Sequence, residues 1–202
     1  MKNNTEFLQT NLSKINLNLS DESCAQLILF LELLLKWNKA YNLTAITDFD
    51  KMLTYHLIDS LSIANYLKGE KIIDVGSGAG LPGIPLAVYF PQKQFVLLDS
   101  VGKKTRFISQ AARELKLQNV TVVQSRAEEY QTETRFDTMT ARAVGSLDYL
   151  IEISTHFLQT NGRLCAMKSD SNAEIIPEGA EVVSLNVPGI VAPRSLILID
   201  YP

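Results

Sequence analysis

The chain has 202 residues, 46% of them apolar and 20% charged, and carries a formal net charge of −3. That length holds one well-buried domain with room for a small appendage, and the composition is ordinary for a soluble globular enzyme. The charge excludes a footprint that is basic throughout, so any nucleic-acid partner must be met by a local basic face.

The opening MKNNTEFLQTNLSK is polar and is not a secretory leader; residues 1–19 predict a short amphipathic helix. Ser20 suits an N-cap, with Asp21 and Glu22 at the positive end of a helix running to about Lys39. Leu27, Ile28, Leu31, Leu34 and Leu35 have helical spacing, and Leu29, Phe30 and Leu33 widen the stripe, so the helix is covered on more than one side. The run Leu27–Leu35 is interrupted by Glu32 and is too short to span a bilayer. Tyr41–Thr44 reads as a connector, and Thr47-Asp48-Phe49-Asp50 as a capping box opening a helix to about Leu67. Residues 1–68 are thus expected to form an N-terminal helical unit, and residues 69–202 a core of different pattern.

From Lys71 strands alternate with helices. The expected strands are Ile72–Val75, Phe95–Leu98 ending in Asp99, Val120–Val123, Phe136–Thr140 and Arg163–Met167. The expected helices are Pro82–Tyr89, Lys103–Leu117 and Leu147–Leu158, the last stopped by Asn161-Gly162. Two late strands, Glu181–Asn186 and Ser195–Asp200, are joined by the short Pro188–Pro193 turn, which requires antiparallel pairing. The fold class is α/β: a mostly parallel sheet with an antiparallel C-terminal hairpin and an N-terminal helical extension. Cys24 and Cys165 lie far apart in apolar runs, and His56 and His156 are the only histidines, so no disulfide framework and no metal site is expected. The chain reads as cytoplasmic and reduced, with no membrane association.

KIIDVGSGAGLPGI, Lys71–Ile84, joins an apolar strand to a helix through Gly76, Gly78 and Gly80. Alternate glycines after a buried strand let the backbone turn tightly and approach a nucleotide-like cofactor. A literal GxGxxG (Gly78, Gly80, Gly83) is present, but the dinucleotide pattern wants its first glycine directly after the strand. That glycine is Gly76, and five positions beyond it stands Leu81. Asp99 suits ribose hydroxyls with either a nicotinamide or an S-adenosylmethionine cofactor. Asp74, two residues before Gly76, gives DxGxGxG, a pattern associated with S-adenosylmethionine.

The runs DVGSGAGLPGIPLA, LLDSVGKKTRF, VVQSRAEEY and ARAVGSL, with KWNKAYNLTAIT and HLIDSL upstream, are similar to the RsmG (GidB) family of bacterial ribosomal RNA methyltransferases. The likeness runs from about Trp37 to Lys168 and more loosely to the C-terminus. It implies a Rossmann-like S-adenosylmethionine-dependent methyltransferase fold with a seven-stranded sheet. It also implies methylation of N7 of one guanine in the decoding-region hairpin of 16S ribosomal RNA, so the partner is that RNA or the small ribosomal subunit; no protein partner is implied. By resemblance Gly76 and Leu81 border the methionine part of the cofactor, with Asp74 and Gly78 in the same cofactor site. Asp99 takes the ribose hydroxyls, and at Ala127-Glu128 the Glu128 carboxylate or the adjacent backbone reads the adenine edge. Glu129, beside Glu128, is separated from it only by the match.

Arg142 closes the fourth strand within Thr140-Ala141-Arg142-Ala143, where neither Asn/Asp-Pro-Pro-Tyr nor Pro-Cys occurs. Methylation of an exocyclic amine and covalent cysteine attack on a pyrimidine are thereby disfavoured. Guanine N7 keeps a free lone pair at neutral pH, so in-line displacement on the sulfonium methyl needs no general base. Arg142 is a candidate for the cofactor, a phosphate or guanine O6. His56, Asp59 and Ser60, one helical turn apart, either line the substrate mouth or pack and cap. Lys103, Lys104, Arg106 and Arg126, with Arg113, are candidates for RNA phosphates, although a solvated helix face has the same pattern. A nicotinamide oxidoreductase and a non-catalytic ribosome-assembly factor are the competing functions.

Overall fold

A computed structural model describes residues 2–169 and 174–202. Helix α1 (Lys2–Ser13) is followed by α2 (Asp21–Tyr41). Ser20 is extended and its hydroxyl accepts the Ser23 N–H at 3.1 Å, satisfying one of the donors a helix start leaves open. At the other end Asn42 is left-handed, and the Asn38 side chain folds the next turn: Oδ1 accepts the Leu43 and Thr44 N–H groups at 2.6 and 2.9 Å.

The cap of the following helix, α3 (Phe49–Met52), is Asp48 rather than Thr47. Asp48 is the extended residue next to the first turn, and its Oδ1 accepts the Lys51 N–H at 2.9 Å. Nor is the segment one uniform helix to Leu67. A π-helical stretch, Leu53–Ile58, separates α3 from α4 (Asp59–Leu61), and a 3₁₀ turn closes it at Ala64–Tyr66.

Among the described residues seven strands form one sheet, ordered β3-β2-β1-β4-β5-β7-β6. They are β1 (Lys71–Val75), β2 (Gln94–Asp99), β3 (Val120–Gln124), β4 (Phe136–Arg142), β5 (Leu158–Lys168), β6 (Glu181–Ser184) and β7 (Ser195–Asp200). The first five pair in parallel, and β7 runs antiparallel between β5 and β6. The crossovers carry α5 (Gly83–Tyr89), α6 (Gly102–Glu114) and α7 (Leu147–Phe157). Here Asn161-Gly162 does not stop a helix: α7 ends at Phe157 and β5 starts at once. The register against β4 then slips between Phe136↔Leu158 and Thr138↔Arg163. Leu158 is extended and buried, so its apolar side chain is better placed on the sheet than in another helical turn, and the Asn-Gly pair becomes an irregularity inside the strand.

Alternation along the strands sends side chains to two cores. Ile72 packs on one face with α2, α5 and α6 through Leu27, Phe30, Ile84 and Phe107. Ile73 and Val75 pack on the other with α7 through Leu150, Ile153 and Phe157. Residues 1–68 and the sheet thus share one apolar cluster, and the carboxyl ends of the parallel strands are left as the open rim. Cys24 and Cys165 are both free and buried, and burial pushes their thiols up to about 11 and about 12.

Candidate active site

The rim is shaped first by the glycine turn. Gly76 has φ +67°, and a Cβ there would lie 2.4 Å from Val144 Cγ2, so only glycine lets β1 end against the β4–α7 loop. A Cβ on Gly83 would come within 2.8 Å of Asp74 Oδ2 and of Leu97 Cγ, which explains why α5 begins flush on the sheet. Asp74 itself is wholly buried. Its Oδ2 accepts the Gly83 N–H and its Oδ1 the Thr140 hydroxyl, both at 3.0 Å. Burial pushes its pKa up to about 7. Asp74 therefore ties the turn to β4 from beneath. Leu81 is likewise buried, in the core shared with the helices.

Asp99, at the end of β2, is 5% exposed and faces the rim. Its Oδ2 accepts the Gly78 N–H and its Oδ1 the Val101 N–H, both at 2.8 Å, with Lys104 Nζ 3.6 Å away. A carboxylate offers about four lone-pair sites, so two amides leave capacity for hydroxyl donors. A cavity of about 270 Å³ opens here, lined by Gly76, Asp99, Lys104, Arg126, Ala127, Glu128 and Tyr149 among others. Across it the Tyr149 hydroxyl donates to Glu128 Oε1 at 2.8 Å.

A second cavity, about 440 Å³, adjoins the first, and Ala143 lines both. His56, Asp59, Arg142 and Arg194 converge on it from the π-helical stretch, α4, the end of β4 and the residue before β7. Asp59, 4% exposed, is clamped between two guanidiniums: Oδ2 accepts from Arg142 and Oδ1 from Arg194, both at 3.0 Å. Arg142 also donates to the Tyr55 carbonyl at 3.2 Å. His56 Nε2 lies 2.9 Å from Thr44 Oγ1. Burial, and then the Arg142 charge, hold its pKa down to about 4, so the imidazole is neutral at neutral pH.

The candidate cofactor residues are accordingly divided. Gly76, Asp99, Ala127 and Glu128 line the smaller cavity, Arg142 lines the larger one, Gly78 donates to Asp99, and Asp74 and Leu81 lie beneath the turn. The basic residues divide too. Lys104 and Arg126 line the smaller cavity, Lys103 Nζ donates to the Tyr41 carbonyl at 2.7 Å, and Arg106 is exposed on α6 with Nε on the Gly102 carbonyl. Arg194 and Tyr149 did not emerge from the sequence. The first follows a proline turn and the second sits in a helix start, with no periodic or motif signal beyond its type. Among the described residues no group of three His, Cys, Asp or Glu side chains could hold a metal, and no helix is long and apolar enough to cross a membrane.

The strand order, with its reversed seventh strand, and the glycine turn beside an acid-ended β2 define the S-adenosylmethionine-dependent methyltransferase class. Residues 23–188 match the model of the GidB family, rRNA small subunit methyltransferase G, and the chain belongs to that family. It is 46% identical over 196 residues to a ribosomal RNA small subunit methyltransferase G of Coxiella burnetii, covering 96% of each chain. Its identity to the protein of that name from Glaesserella parasuis serovar 5 is 47% over 195 residues, 94% of this chain and 96% of the other. Among solved structures the precorrin-6y C5,15-methyltransferase of Geobacter metallireducens shares the fold, with a TM-score of 0.57 at 17% identity over 80% of this chain and 91% of that one.

Proposed function

We propose that this chain methylates N7 of a guanine in the decoding-region hairpin of 16S ribosomal RNA, in the cytoplasm. It is a methyltransferase of the S-adenosylmethionine-dependent class, and its family is that of the small-subunit ribosomal RNA enzymes. The observation that carries the reading is the meeting of two unlike cavities at Ala143, one floored by a carboxylate with free acceptor capacity and one walled by held arginines. The first fits the adenosine end of the donor: Asp99 would take the ribose hydroxyls, Glu128 the adenine amine, and Gly76 leaves the strand end open.

When bound, S-adenosylmethionine supplies an electrophilic methyl group on a sulfonium. The chain's own task is then to place the acceptor. Guanine N7 needs no proton removed, and a neutral His56 adds no charge against the cation that forms on the base. Asp59 fixes both guanidiniums, Arg142 on one carboxylate oxygen and Arg194 on the other. Arg142 grips O6 or a phosphate; a bidentate hold on O6 and N7 would occupy the attacking lone pair. Orientation of this kind supplies about 7–11 kcal/mol of a barrier. Residues 1–68 bring His56 and Asp59 to the acceptor side, and residues 69–202 supply the donor side.

The test is transfer of labelled methyl from S-adenosylmethionine to naked 16S RNA and, in parallel, to small ribosomal subunits. Label at one guanine N7 in either substrate is the expected result. No label, or label on another atom, would falsify the reading.

A further inference from the structure

We propose that Tyr149 is a positioning residue for base recognition: it holds the Glu128 carboxylate at the edge of the smaller cavity as an acceptor for the amine of an adenine. This rests on the reading above, in which that cavity takes the adenosine end of the donor. Glu128 lies in a single 3₁₀ turn, Ala127–Glu129, and is exposed. A glutamate left free there samples many rotamers, and ordering it on ligand binding costs entropy. The Tyr149 hydroxyl removes that freedom by donating to Oε1 at 2.8 Å, and a carboxylate with about four lone-pair sites keeps capacity for a ligand.

Tyr149 is itself firmly placed. Its backbone N–H donates to Ser146 Oγ, the N-cap of α7, at 3.3 Å. Its ring lies against Gly145, φ +44°, where a Cβ would come within 2.8 Å of Cδ1. Glycine at that position therefore makes room for the ring. Burial and the bond to Glu128 push the tyrosine pKa up to about 12, so the hydroxyl stays protonated. The backbone N–H of Glu128, the tyrosine hydroxyl and Arg126 together hold the glutamate below its ordinary value. The polarity of the pair is thus set: the tyrosine donates, and the glutamate presents only acceptors to the cavity. Such a group receives the exocyclic amine of adenine and is mismatched with a base carrying a carbonyl at C6.

Calorimetric titration of the full chain with S-adenosylhomocysteine and S-inosylhomocysteine tests this, because the second replaces the C6 amine by a carbonyl and moves the edge's donor to N1. Wild type is expected to prefer the adenosyl compound. Tyr149→Phe keeps the ring on Gly145 and should weaken the adenosyl compound about tenfold while leaving the inosyl compound unchanged, so the preference shrinks by that factor. A preference unchanged in Tyr149→Phe, whether both affinities hold or fall together, overturns the inference. So does a wild type that binds the two compounds equally. A wild type that binds neither overturns the donor reading and this inference with it. Should Tyr149→Phe fail to fold, Tyr149→Leu carries the same comparison: a reduced preference supports the inference and an unchanged one overturns it.

Discussion

Loss of water moves Asp74 and His56 in opposite directions. Burial raises the Asp74 pKa to about 7 from 3.8 and lowers that of His56 to about 4 from 6.5. Between those limits the folded chain keeps a proton on Asp74 that the unfolded chain has released. This contribution to stability is full below the ordinary aspartate value and is lost as pH rises through about 7. For His56 the unfolded chain binds the extra proton, so its contribution is present above about 6.5 and is lost as pH falls through about 4. The two oppose each other over most of the window. Asp74→Asn should leave stability rising with pH there, and His56→Gln should leave it falling. Urea midpoints measured across the window check this, and parallel profiles for both variants and wild type would refute it. At this scale the sequence marked Asp74 by its position before Gly76, but whether a carboxylate lies in a cavity or beneath one depends on what covers it.

Among the elements, the α5–β2 connection shows how one side chain closes a gap. The Asn119 amide, buried just before β3, donates to the carbonyls of Ala87, Phe90 and Lys93 at 3.1, 3.1 and 3.0 Å. These lie at the end of α5 and in the turn to β2, where helix carbonyls have no partner of their own. Asn119→Ala removes these bonds, the one to Ala87 at a buried position, which should cost about 1–3 kcal/mol. Thermal melting should show a lower midpoint than wild type, and an unchanged midpoint would show that the amide is dispensable. The parallel strands were legible because each is a short apolar run bounded by turn residues. The start of β5 was not, because Leu158 suits either a helix end or a strand, and only pairing with Phe136 decides between them. The π-helical stretch escaped for a related reason. Leu53, Leu57 and Leu61 suit an α-helix, and nothing in their spacing marks the wider i→i+5 turn.

Over the whole molecule, a net charge of −3 conceals the uneven placement of its cations. Lys103, Lys104 and Arg106 lie in the first turns of α6, beside the smaller cavity, and Arg113 lies in its last turn. Lys104 faces Asp99, so changing it disturbs the smaller cavity as well. Reversing Lys103 and Arg106 instead should weaken RNA binding without altering donor affinity, and should lower the slope of log affinity against log salt by roughly 2. Identical salt titrations for variant and wild type would rule this face out.

The alternating strands, the glycine turn after β1, the acid ending β2 and the reversed hairpin were legible in the order of residues. Each of these depends on backbone sterics or side-chain periodicity within a few residues. That Asp59 lies between Arg142 and Arg194, 83 and 135 positions away, and that Tyr149 reaches Glu128 across 21, follows from long-range folding alone. Ion pairs and hydrogen bonds form wherever the folded chain brings complementary groups within reach. At such separations no local pattern records which groups those will be.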